Sequence, residues 1–338
     1  MTSLLLLAVA AALMATFLTH RVLQYARQHA LLDVPNVRSS HNVPTARGGG
    51  LASAVVITGG ILLLPVFAQL GWVEAIALAV SGAVVAVIGW IDDHRSVSAR
   101  SRFLVHLIAV AVALVGTAAI GPISMPGVPK LPLIQLLAAG FALVWLINLF
   151  NFMDGIDGLA GAEAVFVAAA LACCLVLLGA GSGAGAAFAA LVGGAATGFL
   201  IWNWPPARIF MGDVGSGFLG FALGAVALVA HRESGLSLWV PTILLAVFVT
   251  DATVTLLRRM ARGERWYAAH RSHGYQWLAR KHEAHRPVTI GVVVLNLVWL
   301  LPLALLATRH PVHAGKIAAL AYLPLLPLAL LVGSGRAE

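Results

Sequence analysis

Five aspartates stand where chemistry could be done: Asp92 beside Asp93, Asp154 three residues before Asp157, and Asp213 in Phe210-Met-Gly-Asp213. The chain has only 13 acidic residues; Asp92 and Asp93 end one apolar run, Asp154 and Asp157 follow a second, and Asp213 follows a third. A carboxylate at such a boundary is costly unless a cation or hydrogen-bond donors satisfy it. With Asn151 nearby, the available ligands are all oxygens. That suits magnesium, which keeps several waters and takes one or two protein carboxylates together with substrate phosphates. The expectation is a magnesium-assisted phosphoryl site; the plainer alternative is that each aspartate caps a helix or marks a boundary turn.

Other segments supply parts for an anionic ligand. Asn148, Asn151, Asp154 and Asp157 recur at a spacing of three; on a helix they would line one face, while Gly155 and Gly158 would let a ligand approach the backbone. The segment Pro206 to Gly217 joins Arg208, Asp213 and three glycines just before an apolar run, so backbone N–H groups at a helix start could hold a phosphate. Arg38-Ser-Ser40-His41 and Arg47-Gly-Gly-Gly50 offer cations, hydroxyls and flexible backbone, although a topological charge bias explains the arginines equally well. The stretch from Arg258 to Arg286 holds His270, Arg271, His273, His282 and His285, enough to bind a pyrophosphate or protonate a leaving phosphate. A basic loop at a membrane surface is the other reading, and zinc is disfavoured because no cysteine or well-spaced carboxylate joins the group.

The elements that must position these residues are membrane spans. Of the 338 residues, 60% are hydrophobic and 10% charged, against about 25% charged in soluble domains; the mean hydropathy is +0.94. Apolar runs near the roughly 20 residues needed to cross a bilayer recur throughout. They are centred on residues 11, 59, 83, 112, 139, 170, 193, 223, 248, 297 and 324. The fold class is therefore an all-α polytopic membrane protein with about eleven transmembrane helices, a single integral membrane domain over residues 1–338. All but Lys130, Arg232, Arg309 and Lys316 of the 21 basic residues fall on one side, which places the N-terminus outside and the C-terminus in the cytoplasm. All five aspartates then share the cytoplasmic side, in loops 20–50, 92–103, 148–161, 202–217 and 258–287.

Several features carry less. The first apolar run lacks a basic segment before it, so it reads as a span rather than a cleaved leader. The Gly/Ala/Ser-rich stretch between the spans centred on 170 and 193 suits close helix packing. Cys173 and Cys174 are adjacent and without metal spacing. The net charge of +8 is spread over short loops, which argues against a nucleic-acid partner.

Taken in order, Arg38-Ser-Ser-His41 with Pro44-Thr-Ala-Arg-Gly-Gly-Gly50, Asp92-Asp93 with Ser98-Ala-Arg-Ser-Arg102, Asn151-Phe-Met-Asp-Gly-Ile-Asp157, Phe210-Met-Gly-Asp213 and His270-Arg-Ser-His273 resemble the polyprenyl-phosphate N-acetylhexosamine-1-phosphate transferases. These are glycosyltransferases of family 4 and relatives of phospho-N-acetylmuramoyl-pentapeptide translocase. The resemblance spans about Asp33 to Arg286. It implies ten or eleven helices, magnesium with manganese as a possible substitute, a UDP-N-acetylhexosamine-type donor, undecaprenyl phosphate as acceptor, a bacterial inner-membrane location and a possible homodimer. By position, Asp213 resembles the magnesium ligand with Asn151 as a second, Asp157 the nucleotide-recognition residue and Arg102 the pyrophosphate-binding cation. Asp92 and Asp93 match the catalytic acidic pair, with His270 and His273 beside them. Arg38, Ser40, His41, Arg47, Asp154 and Arg271 complete the expected substrate-binding set. Many members have His-x-His-His in the last loop; here Ser272 replaces the middle histidine. That pattern resembles the branch using 6-deoxy-N-acetylhexosamine donors in O-antigen assembly.

The reaction so implied is attack of a lipid phosphate on the sugar-bearing phosphate of a UDP-sugar, releasing UMP. A transporter is the rival; it requires ionisable groups near the bilayer midplane, usually on broken helices in repeated halves. Only Asp251 and Glu163 fall inside predicted spans, and no repeat is visible.

Overall fold

The computed structural model describes residues 2–34, 43–118, 131–264 and 270–337. Ten of the eleven predicted centres fall on helix and the one at 324 in a turn between two short helices, because inside a bilayer every backbone N–H and C=O must be satisfied within the segment. The helices are α1 (Thr2–Gln28), α2 (Gly50–Phe67), α3 (Trp72–His94), α4 (Ala99–Ala118), α5 (Pro132–Met153), α6 (Leu159–Leu177), α7 (Ala184–Asn203) and α8 (Asp213–Ser234). There follow α9 (Trp239–Leu244), α10 (Ala246–Ala261), α11 (Gly274–His282), α12 (Arg286–Leu295), a π-turn over Asn296–Leu300, α13 (Leu301–Arg309), α14 (Ala314–Tyr322) and α15 (Leu325–Leu331). The only strands among the described residues, β1 (Leu32–Asp33) and β2 (Thr45–Ala46), pair antiparallel with Leu32 opposite Ala46.

Ten helical stretches among the described residues are long and apolar enough to cross a membrane. The remaining predicted span, centred on 248, is a broken helix: α9 stops at Leu244 and α10 restarts at Ala246. The chain is a multi-pass, all-helical membrane protein.

Helix α8 is the hub. Every residue from Val214 to Ala230 is buried, and α3, α5, α2, α7 and α6 pack around it. Helix α1 lies against α7, where Gly194 and Gly198 meet the backbone of Ala8 and Ala12; the Gly/Ala-rich stretch does serve close packing.

The end of α8 away from Asp213 is fixed by charge. Arg232 Nη2 donates to Glu74 Oε2 of α3 at 2.7 Å, while Nη1 lies 2.6 Å from Glu74 Oε1 as an ion pair and donates to the Thr117 carbonyl at 2.9 Å. Arg232 was an exception to the charge asymmetry in the sequence, and a fully paired, mostly buried guanidinium accounts for it. Its neighbour Glu233 accepts the N–H groups of Ala184 and Gly185, closing the start of α7.

Candidate active site

Helix α8 begins with Gly212 at its cap and no capping side chain of its own. Four N–H groups at a helix start need partners, and α3 supplies one carboxylate for two of them. Asp93 Oδ1 accepts from the Asp213 N–H at 2.9 Å and Oδ2 from the Val214 N–H at 3.1 Å. The start of α8, expected as a phosphate cradle, is thus occupied by the chain's own Asp93. The approach is possible because α3 and the start of α8 meet through glycines: a Cβ on Gly89 would stand 2.4 Å from Asp213 O, and one on Gly212 2.5 Å from Asp93 Oδ2.

Around this junction three aspartates share two arginines. Arg47 Nη2 lies 2.9 Å from Asp93 Oδ1 and 3.3 Å from Asp213 Oδ1. Arg102 Nη1 lies 3.1 Å from Asp213 Oδ2 and makes a closer contact with Asp92 Oδ2. Asp92 Oδ1 also accepts from the Val97 N–H at 2.7 Å, which shapes the turn between α3 and α4. Desolvation opposes the charge of Arg47, but Asp93 and Asp213 outweigh it and hold the guanidinium above its usual pKa. Arg47 is carried in by a strand-like run: the Phe210 N–H bonds to Ala46 O, and the N–H groups of Gly49 and Gly50 bond to Phe210 O and Met211 O.

Segment 148–158 is not helical throughout. Helix α5 ends at Met153, so Asp154 and Asp157 leave the face that Asn148 and Asn151 begin. Asn151 Nδ2 donates to Ser216 Oγ at 3.3 Å, which leaves the amide oxygen as its ligating atom. Desolvation, then the charge of Asp213, push the Asp154 carboxyl well above the usual carboxylate range. Asp157 is engaged on both oxygens: Oδ2 accepts the Ala207 N–H at 3.0 Å and Oδ1 lies 3.2 Å from His285 Nδ1. It also lines an open cavity of about 850 Å³ with Phe210, Arg280, His285 and Arg286.

Gly155 is approached closely by the protein's own Tyr275, whose Oη is 2.2 Å from where a Cβ would stand, and not by an expected ligand. Tyr275 donates to the Phe152 carbonyl at 2.8 Å; burial, with Asp251 and Asp154, raises its pKa well above the usual phenol value. This contact docks the histidine loop on the end of α5. The His273 ring stacks on Phe152 at 6.2 Å and lies tilted 4.9 Å from His270. The Arg271 carbonyl accepts from Arg280 at 2.9 Å. Arg38, Ser40 and His41 lie outside the described residues.

Asp251 anchors that loop, a role its sequence position did not disclose. Oδ1 accepts from the Gly274 N–H at 2.9 Å and Thr255 Oγ1 at 3.2 Å, and Oδ2 from the Tyr275 N–H at 3.1 Å, so it closes the start of α11. Glu163, the other intramembrane acid, accepts from Asn296 Nδ2 at 2.6 Å. Both acids that a transporter reading would need are engaged in packing the fold.

No group of three or more His, Cys, Asp or Glu side chains is placed to hold a metal among the described residues. Magnesium does not require one, since phosphate oxygens and waters fill most of its shell. The residues present fit such an ion: Asp213 keeps 22% of its side chain exposed, the bond to Ser216 uses only the amide nitrogen of Asn151, and the Asp154 carboxyl sits among like charges that a divalent cation would offset.

The fold and site define a polytopic membrane protein that gathers acids, arginines and histidines at one end of its bundle. The model for glycosyl transferase family 4 matches residues 75–231, which is α3 to α8 and so includes Asp92, Asp93, Arg102, Asn151, Asp157 and Asp213. The chain is 27% identical over 272 residues to the probable undecaprenyl-phosphate N-acetylglucosaminyl 1-phosphate transferase of Bacillus subtilis, covering 79% of this chain and 75% of that protein. It is 29% identical over 315 residues to the decaprenyl-phosphate N-acetylglucosaminephosphotransferase of Mycobacterium tuberculosis, covering 84% and 78%. The corresponding Mycolicibacterium smegmatis protein is 30% identical over 242 residues, 67% of this chain and 59% of that one. The match over α3 to α8 and these relatives support a place in glycosyl transferase family 4.

Proposed function

We propose that this protein transfers a sugar-1-phosphate from a UDP-N-acetylhexosamine-type donor to undecaprenyl phosphate, releasing UMP and leaving an undecaprenyl-diphospho-sugar. The observation that carries the reading is Asp213 held between Arg47 and Arg102 beside Asp92 and Asp93. Such a cluster is suited to phosphoryl transfer, whose demands are positioning and charge stabilisation. Serine 272 in the histidine loop favours a 6-deoxy-N-acetylhexosamine donor, and with it a place at the start of O-antigen or related envelope glycan synthesis. The charge asymmetry supports a site on the cytoplasmic side, and the bacterial relatives support an inner-membrane location.

A phosphate oxygen of the lipid attacks the sugar-bearing phosphorus, and the bond to the UMP oxygen breaks with its electron pair leaving on UMP. The lipid monoester, with a second pKa of about 6, is already largely dianionic near neutrality, so a general base adds little. Asp92 has both oxygens engaged, by Val97 and Arg102, and acts by holding Arg102. Asp93 holds α8 and Arg47 in the same way. Released from Asp213 toward substrate, the two guanidiniums would grip the diphosphate. Magnesium held by Asp213 and Asn151, with Asp154 close by, would offset charge on the transferred phosphoryl group, and manganese could replace it. The nucleotide fits the 850 Å³ cavity at Asp157 and Phe210, where Arg280 and Arg286 supply cations. An apolar cavity of about 270 Å³ bordered by Met153, Val247, Val288 and Leu325 suits the lipid chain.

The test is UMP release by purified protein with undecaprenyl phosphate, magnesium and a panel of UDP-N-acetylhexosamines. Release that needs lipid, metal and Asp213 supports the reading and identifies the donor. No UMP from any donor, with no nucleotide-sugar binding by a folded sample, overturns it.

A further inference from the structure

Ser272 is 3% exposed and sits between the two histidines of the loop. Its hydroxyl is 3.2 Å from Arg259 Nη1 and 3.1 Å from His270 Nδ1. Arginine has donors only, so Ser272 Oγ accepts from Arg259 and its own proton is directed to His270 Nδ1. The Ser272 N–H points to the same nitrogen at 3.4 Å. With two donors aimed at it, Nδ1 is the acceptor of the ring, and the proton of the neutral imidazole resides on Nε2.

The backbone of Ser272 is fixed from the other side. Its carbonyl accepts from the Gly335 N–H at 2.7 Å. The segment holding Gly335 is tied to α10 by Arg258 Nη1 donating to Ser334 O at 2.7 Å and Arg262 Nη1 donating to Gly335 O at 2.6 Å. The Arg336 guanidinium lies 5.7 Å over the Trp277 ring of α11.

We propose that Ser272 is the positioning residue for His270: it fixes the tautomer that carries Nε2–H, a donor for a phosphate oxygen of the nucleotide-sugar, and the 334–336 segment braces it from behind. The proposal rests on the transferase reading above. Ser272 does not touch substrate; it acts through His270.

The test compares full-length wild type, Ser272→Ala, Ser272→Thr, His270→Ala and the double variant Ser272→Ala/His270→Ala by UMP-release kinetics in detergent. Expected are a kcat about tenfold lower for Ser272→Ala, the size of one lost hydrogen bond, with donor KM nearly unchanged, recovery in Ser272→Thr, and a double variant no slower than His270→Ala alone. Wild-type kcat in Ser272→Ala, or losses that multiply in the double variant, would overturn it. If Ser272→Ala fails to fold, full-length Arg262→Ala, which frees Gly335 O, should lower kcat in the same direction, again without further effect in His270→Ala; multiplied losses would count against the proposal there too. An inactive wild type sinks the transferase reading itself, whereas an active wild type with an indifferent Ser272 sinks this proposal alone.

Discussion

Asp93 Oδ1 accepts the backbone N–H of Asp213 at 2.9 Å, so one acid of the pair at the end of α3 fixes the start of the helix on which the third acid is mounted. Asp92, its neighbour, is turned instead to Arg102 and the α3–α4 turn. Adjacent residues of one type therefore have separable tasks.

Asp93→Ala removes a helix cap and a partner of Arg47. A loss of about 1 to 2 kcal/mol is expected, read as a lower unfolding temperature in detergent, together with loss of UMP release. Asp92→Ala should lose activity with a smaller stability change. Equal destabilisation by the two would contradict the division of tasks.

Arg102→Ala removes a donor that reaches both Asp92 and Asp213. A fall in kcat on the order of a hundredfold is expected, the scale of losing one preorganised donor to transition-state charge. Arg102→Lys should recover only part of it, because one ammonium lacks the planar fork. Steady-state kinetics with saturating lipid checks this.

Arg232→Ala leaves Glu74 buried without its cation at the end of α8 remote from Asp213. Breaking such a pair costs about 3 kcal/mol or more. Denaturation in detergent should register that loss, while the protein that remains folded keeps its turnover.

Asp154 has a raised carboxyl pKa because of desolvation and then Asp213. The folded state therefore binds a proton that the unfolded chain has already lost. Without a divalent cation, stability should fall as pH rises from about 4, the unfolded value, through the raised folded value. Magnesium opposes protonation there and should flatten that slope, and Asp154→Asn should abolish it. Thermal unfolding against pH, with EDTA and then with added magnesium, measures it; a slope indifferent to metal would place the cation elsewhere. In the same samples EDTA is expected to stop UMP release.

Span positions and the order of site residues were legible in the sequence because both are local properties. A bilayer demands a set length of apolar residues, and polar groups are tolerated at the ends of those runs, so Asp92, Asp93, Asn151 and Asp213 could be placed at boundaries without knowing which helix lies beside which. The break at Leu245 was hidden because hydropathy continues through it. The expected helical face through Asp157 also failed, since a spacing of three in sequence does not oblige a helix to persist past Met153.

What only the tertiary structure decided is partnership. Arg47 meets Asp93 and Asp213 because α2, α3 and α8 converge where Gly50 and Gly215 allow backbone contact. Asp251 could have been an ion site by sequence; the folded chain makes it the anchor of the histidine loop. Ser272 and Gly335 are brought together across 63 residues by the packing of α10, α11 and α15. Sequence by itself determined a helical membrane protein with five aspartates at span boundaries, since transfer from water to lipid is read residue by residue. The pairing of each acid was left to helix rotation and contact, which depend on the packing of the whole bundle.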